Sequence, residues 1–156
     1  MTRHAGRIGL FRLLFRVEFY PQEALREQER LFLEYSGTYM DEDETDYAFE
    51  EETGEVRELE KDRFLGEEAD HLIHKFEAIL THIPELDEKI DSVSKNWRTG
   101  RMGKVELAIL RLALYEILYD EDVPPGVAIN EAVELTKEFG DDQSPGFVNA
   151  VLGRFA

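Results

Sequence analysis

The fold class of this chain is decided by residues 104–120, KVELAILRLALYEILYD. Wound as a helix, this stretch is apolar on almost every side, and charges interrupt its interior only at Glu106, Arg111 and Glu116. A helix that is hydrophobic all round is typical of one surrounded by other elements. We therefore expect residues 104–120 to form the central helix of a helical core.

Helical patterns extend over most of the remaining chain, and long alternating strand patterns are absent. Pro21 and Pro84 each lie where one helix must stop and another can begin, because proline is tolerated in a first turn but not in a helix interior. The pattern predicts an all-α, compact helical domain of about seven helices. Their expected ranges are 3–19, 22–36, 56–82, 84–94, 104–120, 126–139 and 145–155.

Composition narrows the class of protein. With 156 residues and 42% hydrophobic content, the chain is long enough for one domain with its own core, which we expect to span residues 1–156. The absence of cysteine excludes disulfides, thiolate zinc sites and a cysteine nucleophile. Arginines interrupt the apolar N-terminus, and no apolar run is long enough to span a bilayer. We therefore expect a soluble cytoplasmic protein with no membrane contact.

Negative charge is concentrated in one segment of the chain. The formal charge is −17, and residues 41–70 alone hold 15 acidic and 3 basic residues, a net of −12. Residues 1–20 instead hold 4 arginines against Glu18, a net of +3. Residues 37–55 combine dense acidic charge with low hydrophobicity, which cannot offset the entropy lost on ordering. We predict an acidic mobile loop at about 37–55.

Four motifs follow one another in the C-terminal part of the chain: LRLALYE at 110–116, DVP at 122–124, VAINEAVELTKEFG at 127–140 and FVNAVL at 147–152. Segment by segment, they resemble the C-terminal half of the NusB family of transcription antitermination factors. The first twenty residues resemble the arginine-rich opening helix of that family more loosely. The resemblance implies a fold of two small helical sub-bundles.

The resemblance also implies a function. Members of the family bind the boxA element of nascent ribosomal transcripts together with NusE, a small-subunit ribosomal protein, and help RNA polymerase to read through terminators. The expected partners are therefore boxA-like single-stranded RNA, NusE and the RNA polymerase antitermination complex. No cofactor is expected.

The basic first helix is one candidate RNA surface. Arg3 and Arg7 lie four residues apart and project from one helix face, and Arg12 and Arg16 repeat that spacing on another face. Arginine contacts phosphate bidentately and stacks on bases, which suits single-stranded RNA, although arginines also line the solvated side of many helices. With the resemblance, we predict RNA-binding roles for these four residues and for His4. Because His4 thins the denser arginine cluster of the family, we expect a lower RNA affinity.

A second basic cluster surrounds Trp97 in KNWRTGRMGK at 95–104, and it consists of Lys95, Arg98, Arg101 and Lys104. A cationic loop with an aromatic ring can stack unpaired bases, but Trp97 can equally belong to the core. In the family, the segment that leads into the central helix adjoins both RNA and NusE. The resemblance therefore assigns Arg101 and Lys104 to RNA, and Trp97 and Glu106 to partner contact.

The start of the last predicted helix is the third candidate surface. Phe147 falls in its first turn, and the matching position of the family is an aromatic residue that contacts RNA. A helix N-terminus can receive a phosphate through its amides and dipole, and Gln143 and Ser144 can hydrogen-bond bases or backbone. We assign all three residues to RNA. An alternative stays open, in which Phe147 packs inward with Val151 and Phe155 at helical spacing.

Other charged residues indicate structural or solvated roles. A buried Arg111 requires a partner, and Glu131 or Glu134 of the following predicted helix can provide it. His71 and His74 lie among acidic residues at helical spacing and could be arranged into a metal site, but a solvated helix surface explains them more simply. We predict no metal site.

The sequence contains no phosphate loop, nucleophile elbow or dinucleotide fingerprint, so we expect a binding protein and not an enzyme. Its expected RNA surface joins the first helix, the 95–104 loop and the start of the last helix. Two alternatives stay open: a domain related to those fused in front of ribosomal RNA cytosine methyltransferases, and an acidic scaffold that binds only proteins. The sequence also leaves both a monomer and a homodimer open for the free state.

Overall fold

The chain forms a helical bundle with one short hairpin. Its computed structural model describes residues 3–35, 47–49, 56–58, 66–94 and 97–156. The predicted all-α class is confirmed, because helices make up nearly all of the described residues. The α-helices are α1 (Arg3–Arg16), α2 (Leu25–Tyr35), α3 (Glu67–Val93), α4 (Lys104–Tyr119), α5 (Pro125–Phe139) and α6 (Ser144–Gly153), and a 3-10 turn at Gln22–Ala24 precedes α2.

The central helix is α4, as predicted. It packs against α1, α3, α5 and α6, and every residue from Leu107 to Leu114 is buried. Because α4 has neighbours on all sides, its sequence is apolar all round. The helices α1, α2 and α3 form one sub-bundle and α4, α5 and α6 form the other, with α1 and α3 in contact with α4. Among the described residues, no helix is both long and apolar enough to cross a membrane.

The helix α3 continues through Pro84, so the helix boundary predicted at this proline is wrong. Pro84 is exposed, whereas Phe76, Ile79, Leu86 and Ile90 are buried at helical spacing on both sides of it. An interior proline costs about 3 kcal/mol, and fully burying a single large apolar side chain contributes about 1.5–3 kcal/mol. The continuous buried stripe therefore offsets the cost of the proline.

The start of α3 also differs from the prediction. The predicted helix 56–82 begins at residue 56, but α3 begins at Glu67, directly after Gly66. Gly66 has a φ of 60°, a left-handed conformation that glycine adopts without the steric cost of a side chain. The chain therefore turns at Gly66 and enters α3 from there.

A short hairpin replaces the first residues of the predicted helix 56–82. The strands β1 (Tyr47–Phe49) and β2 (Val56–Glu58) pair antiparallel, with Tyr47 opposite Glu58. Val56 is β-branched and favours a strand, and residues 56–58 pair with β1 instead of starting the predicted helix. The predicted acidic mobile loop at about 37–55 lies outside the described residues, apart from β1, which is a strand and not a loop.

Arg111 joins three parts of the fold through ion pairs. The side chain is 6% exposed, and its Nε and Nη2 donate to the two carboxylate oxygens of Asp87 on α3 at 2.8 and 2.7 Å. Its Nη1 donates to Glu18, which follows α1, at 2.6 Å. Burial acts to raise the pKa of Glu18, but hydrogen bonds from Arg111 and Lys104 outweigh burial and hold this pKa below its ordinary value. The predicted pairing of Arg111 with α5 is wrong, because the side chain contacts acids of the other sub-bundle.

Glu29 on α2 links the stability of the fold to pH. Burial, together with the charge and hydrogen bond of Glu77 on α3, raises the pKa of Glu29 from 4.5 to about 7. Between these two values the folded state holds a proton that the unfolded chain has released. This group therefore makes the protein most stable below pH 4.5, less stable as the pH rises to about 7, and constant above that.

We expect Glu29→Gln to raise the free energy of unfolding at pH 8 by up to about 1 kcal/mol, because the removed repulsion is partly screened by solvent. At about pH 4 the substitution should have a much smaller effect, since the wild-type carboxyl is then protonated in the folded state and mostly protonated in the unfolded chain. Thermal melts of both proteins at the two pH values measure this difference. Equal shifts at both pH values would contradict the role of Glu29.

Candidate nucleic-acid interface

The loop between α3 and α4 presents the single tryptophan of the chain at the surface. Trp97 is 59% exposed, so the alternative that placed it in the core is wrong. Arg98 and Arg101 are exposed beside it, and Lys95 lies outside the described residues. Residues 97–103 are called the Trp97 platform below.

Hydrogen bonds fix the backbone of the Trp97 platform. The Ser94 hydroxyl donates to the carbonyl oxygen of Trp97. The carboxylate of Asp91 accepts the Thr99 amide at 2.7 Å and the Thr99 hydroxyl at 3.2 Å. Met102, near the end of the platform, is buried at 5% exposure. The exposed ring of Trp97 is therefore carried by a turn that is bonded to α3 and anchored in the core.

A groove of about 240 Å³ joins the platform to the start of α6. Its walls come from the platform, the first turn of α4 and the turn between α5 and α6. The groove brings together the predicted residues Trp97, Glu106, Gln143, Ser144 and Phe147, and its other lining residues are Met102, Gly103 and Asp141.

Ser144 belongs to the wall of this groove and is not exposed for RNA contact, contrary to the prediction. It is 2% exposed, and its hydroxyl donates to Glu106. The carboxylate of Asp141 accepts the amides of Gln143 at 2.9 Å and of Ser144 at 3.1 Å. The hydrogen bonds from Gln143 and Ser144 hold the pKa of Asp141 below its ordinary value. The α6 N-terminus, where we expected phosphate, therefore already holds a carboxylate.

Gly140 allows α6 to start close to the end of α5. A Cβ at residue 140 would lie 2.7 Å from the Cβ and Oγ of Ser144 and 2.9 Å from the carbonyl oxygen of Thr136. Atoms this close must move apart, since protein interiors are already close-packed. The position of the groove wall at Gln143 and Ser144 therefore depends on the absence of a side chain at Gly140.

Phe147 has two environments. It lines the groove, is half-buried, and also packs against the hydrophobic core. Val151, one turn later, is buried, and Phe155 is half-buried against the same core. The surface and core interpretations of Phe147 therefore each describe part of its surroundings.

Arg7 is buried, contrary to the expectation of an arginine that faces RNA. Its side chain is 8% exposed, and Nε and Nη2 donate to the two oxygens of Glu116 at 3.2 and 3.1 Å. Lys75 donates to Glu116 at 3.3 Å and to Asp120 at 2.9 Å. This chain of alternating charges connects α1, α3 and α4, so Arg7 has a structural role.

The start of α1 lies far from the Trp97 platform. Arg3 and Arg7 line a second cleft, of about 320 Å³, next to Glu116 near the end of α4. The groove adjoins Glu106 near the start of α4, and the rise of a helix places these two glutamates about 15 Å apart along its axis. The start of α1 and the groove therefore lie near opposite ends of α4. The end of α1 is closer to the platform, because Glu18 accepts a hydrogen bond from Lys104 at 3.2 Å. One RNA surface that joins the first helix, the 95–104 loop and the start of the last helix stays a prediction.

Comparison with known proteins identifies the family. The model of the NusB family matches residues 4–156. This chain belongs to the NusB family. The resemblance carried by the C-terminal motifs is confirmed, and it extends over almost the whole chain.

Sequence relatives in the NusB family match all of this chain or a large part of it. Transcription antitermination protein NusB of Agathobacter rectalis is 42% identical over 156 residues, which are 100% of both chains. The protein of the same name from Clostridium tetani is 49% identical over 105 residues, 66% of this chain and 69% of that relative.

Solved NusB structures share the fold. T. maritima NusB has a TM-score of 0.67 at 26% identity, and the match covers 100% of this chain and 91% of the other. A crystal structure of the antitermination factors NusB and NusE in complex with dsRNA has a TM-score of 0.66 at 21% identity, over 99% of this chain and 97% of the other. At this identity the second match supports the fold alone.

Within this NusB-family fold, two further arginines of α1 lie over aromatic rings. The guanidinium carbon of Arg12 is 5.9 Å from the ring centre of Phe139, and that of Arg16 is 5.3 Å from the ring centre of Phe32. These distances allow cation–π attraction, so both side chains cover hydrophobic surface. Their RNA-binding role stays a prediction.

His4 and Lys104 are paired with acidic residues. His4 lies 3.2 Å from Glu131 through Nδ1 and 3.5 Å from Glu138 through Nε2, and the hydrogen bond with Glu131 raises its pKa above the ordinary value. Lys104 donates to Glu18 at 3.2 Å. RNA would have to compete with these acids, and the RNA roles of both residues stay predictions.

Of the predicted RNA-binding residues, Arg3, Arg101 and Gln143 are exposed. Arg98 is equally exposed, and sequence reasoning did not assign it, although its position next to Trp97 is a signal that could have done so. Asp91 was also missed, because nothing in the local sequence indicates that its carboxylate accepts hydrogen bonds from Thr99. In the part of the chain that the structure describes, no group of three or more His, Cys, Asp or Glu could hold a metal ion.

Proposed function

We propose that this protein binds boxA-like single-stranded RNA of nascent ribosomal transcripts together with NusE, and promotes read-through by RNA polymerase in the antitermination complex. It acts by binding, without catalysis, in the cytoplasm. The observation that carries the proposal is the Trp97 platform, where an exposed aromatic ring lies beside exposed Arg98 and Arg101. Relatives named transcription antitermination proteins support it.

The groove beside the platform suits a base better than a phosphate. Glu106 and Asp141 place two carboxylates in its lining, which repel phosphate but accept hydrogen bonds from the amino groups of bases. Trp97 and Phe147 line the same groove, and stacking on an aromatic side chain contributes about 1–3 kcal/mol per base. The exposed arginines of the platform then contact the RNA backbone outside the groove.

Because the protein is strongly negative overall, its affinity for RNA must come from these local contacts. A chain with a formal charge of −17 gains little from long-range attraction of RNA. We therefore expect modest affinity for RNA alone and a marked increase with NusE, which we assign to the surface near Trp97 and Glu106. The acidic scaffold alternative, by contrast, requires no RNA binding at any salt concentration.

Trp97 itself reports on the test, because it is the single tryptophan and is exposed. Titration with a boxA-like RNA should change its fluorescence in a saturable and salt-dependent way, and NusE should lower the dissociation constant. A scrambled RNA of the same length is the control. If anisotropy of labelled RNA and Trp97 fluorescence both stay constant with and without NusE, the proposal is wrong.

Arg3 is the arginine of α1 whose removal should affect RNA without affecting the fold, because it is exposed at the start of the helix. One lost phosphate contact should flatten the dependence of log K on log salt by about 0.7 on a single strand. We expect this change for Arg3→Ala and not for Arg154→Ala, which removes an exposed arginine after the end of α6. Fluorescence titrations at several salt concentrations measure the slope, and equal slopes for both variants would exclude Arg3 from the interface.

A further inference from the structure

The side chain of Asp91 bridges the last turn of α3 and the middle of the Trp97 platform. Both of its oxygens are used on one residue, since they accept the amide and the hydroxyl of Thr99. Asp91 is half-buried and adjoins Arg98 in the lining of a cleft on the outer side of α3. Asp91 does not line the groove that Trp97 and Phe147 share. Asp91 therefore holds the backbone of the platform without lining the groove itself.

Backbone hydrogen bonds also order the platform, from the Trp97 amide to Ser94 at 3.3 Å and from the Arg101 and Met102 amides to Arg98 at 2.9 and 3.0 Å. The Thr99 amide between them donates instead to the side chain of Asp91. The ring is 59% exposed, and a Cβ built on Gly100 would meet nothing within 4 Å. The bonds of Ser94 and Asp91 both act on the backbone directly after the ring, at the Trp97 carbonyl and at the Thr99 amide. Fixing the backbone of a flexible residue costs conformational entropy. A platform that is already fixed in the free protein avoids this cost when it binds.

We infer that Asp91 is a positioning residue, which strengthens RNA binding by holding the Trp97 platform in its binding conformation. The inference rests on the proposed function for its RNA part, because Asp91 acts only through Trp97 and the arginines beside it. Its effect on the mobility of Trp97 is independent of RNA.

Electrostatics alone predicts the opposite effect of Asp91. An acidic residue near exposed arginines repels phosphate, so removing its charge should tighten RNA binding if charge were its only contribution. Positioning predicts that the loss of both hydrogen bonds weakens binding despite the more favourable charge. The sign of the change therefore separates the two roles.

The test compares Asp91→Ala with Asp91→Asn in the full chain. Both variants remove the charge, but the asparagine oxygen can still accept the Thr99 amide, and its NH2 group can donate to the Thr99 hydroxyl. We expect Asp91→Ala to raise the dissociation constant for boxA-like RNA about tenfold, the equivalent of 1.4 kcal/mol. Asp91→Asn should bind at least as tightly as the wild type. Without RNA, acrylamide should quench Trp97 more strongly in Asp91→Ala than in the other two proteins, and its fluorescence anisotropy should fall.

Thr99→Val provides a second variant in case Asp91→Ala folds poorly. It keeps the amide bond to Asp91 and loses only the hydroxyl bond, so we expect a rise of about threefold in the dissociation constant and a small increase in quenching. If the wild type binds RNA but Asp91→Ala matches Asp91→Asn in both affinity and quenching, the inference is overturned and the proposed function survives. If the wild type does not bind RNA, the proposed function fails, and the quenching experiment still decides whether Asp91 fixes the platform.

Discussion

Glu116→Ala should lower the free energy of unfolding by about 3–5 kcal/mol, because it leaves a deeply buried arginine without its carboxylate. The Glu116 side chain is 2% exposed and accepts hydrogen bonds from Nε and Nη2 of Arg7. Lys75 loses one acceptor in the variant but keeps Asp120 at 2.9 Å. Arg7 has no second carboxylate partner in the described part of the chain. The uncompensated charge of Arg7 therefore dominates the loss of stability.

Denaturation in urea measures this effect, with Glu121→Ala as the matched control. Glu121 is an exposed glutamate just beyond α4, and its removal should change stability by no more than about 0.5 kcal/mol. The double variant Arg7→Met with Glu116→Met removes both buried charges and should recover most of the lost stability, as replacing a buried pair by apolar residues often does. If Glu116→Ala were as mild as Glu121→Ala, the buried ion pair would not hold α1 on α4.

The helical class and the central helix can be predicted because both depend on local periodicity. The apolar pattern of residues 104–120 needs no knowledge of distant residues to be recognised as a buried helix. Pro84 shows the limit of local rules. A proline favours a helix end, but the buried side chains on either side of it, which only the folded chain reveals, favour continuation.

Partners of buried charges cannot be predicted in this way. Arg7 and Glu116 are 109 positions apart, and Arg111 and Glu18 are 93 apart. Periodicity identifies a charged residue on an apolar helix face, but it carries no signal of which distant acid the residue meets. For this reason Arg3 and Arg7 look equivalent in the sequence, although one is exposed and the other is buried.

The sequence indicates individual residues of the candidate site, but it does not indicate that they lie together in one groove. Local composition indicates the loop around Trp97, family resemblance indicates Phe147, and the polar side chain of Gln143 in the same turn indicates a hydrogen-bonding role. That these residues share one groove depends on the packing of α6 against α4 and on the close approach at Gly140. The same packing buries Ser144, so its role changes from an RNA contact to a part of the wall.

Phe147→Ala should weaken both RNA binding and folding, because Phe147 lines the groove and also packs against the core. Loss of base stacking should cost about 1–3 kcal/mol of binding free energy, a rise of roughly 5-fold to 150-fold in the RNA dissociation constant. Removing a fully buried phenylalanine costs about 3–5 kcal/mol of folding free energy. Because Phe147 is half-buried, we expect a smaller loss, of about 1–3 kcal/mol.

Phe155→Ala is the matched control for this prediction. Phe155 is also half-buried against the same core but does not line the groove. Its removal should destabilise the fold to a similar degree and leave the RNA affinity of the folded protein unchanged. Denaturation midpoints and RNA dissociation constants, measured on both variants under conditions where both are folded, separate the two effects. If both variants lose RNA affinity equally, the loss reflects general loosening of α6, and the RNA surface must then be limited to the Trp97 platform and its arginines.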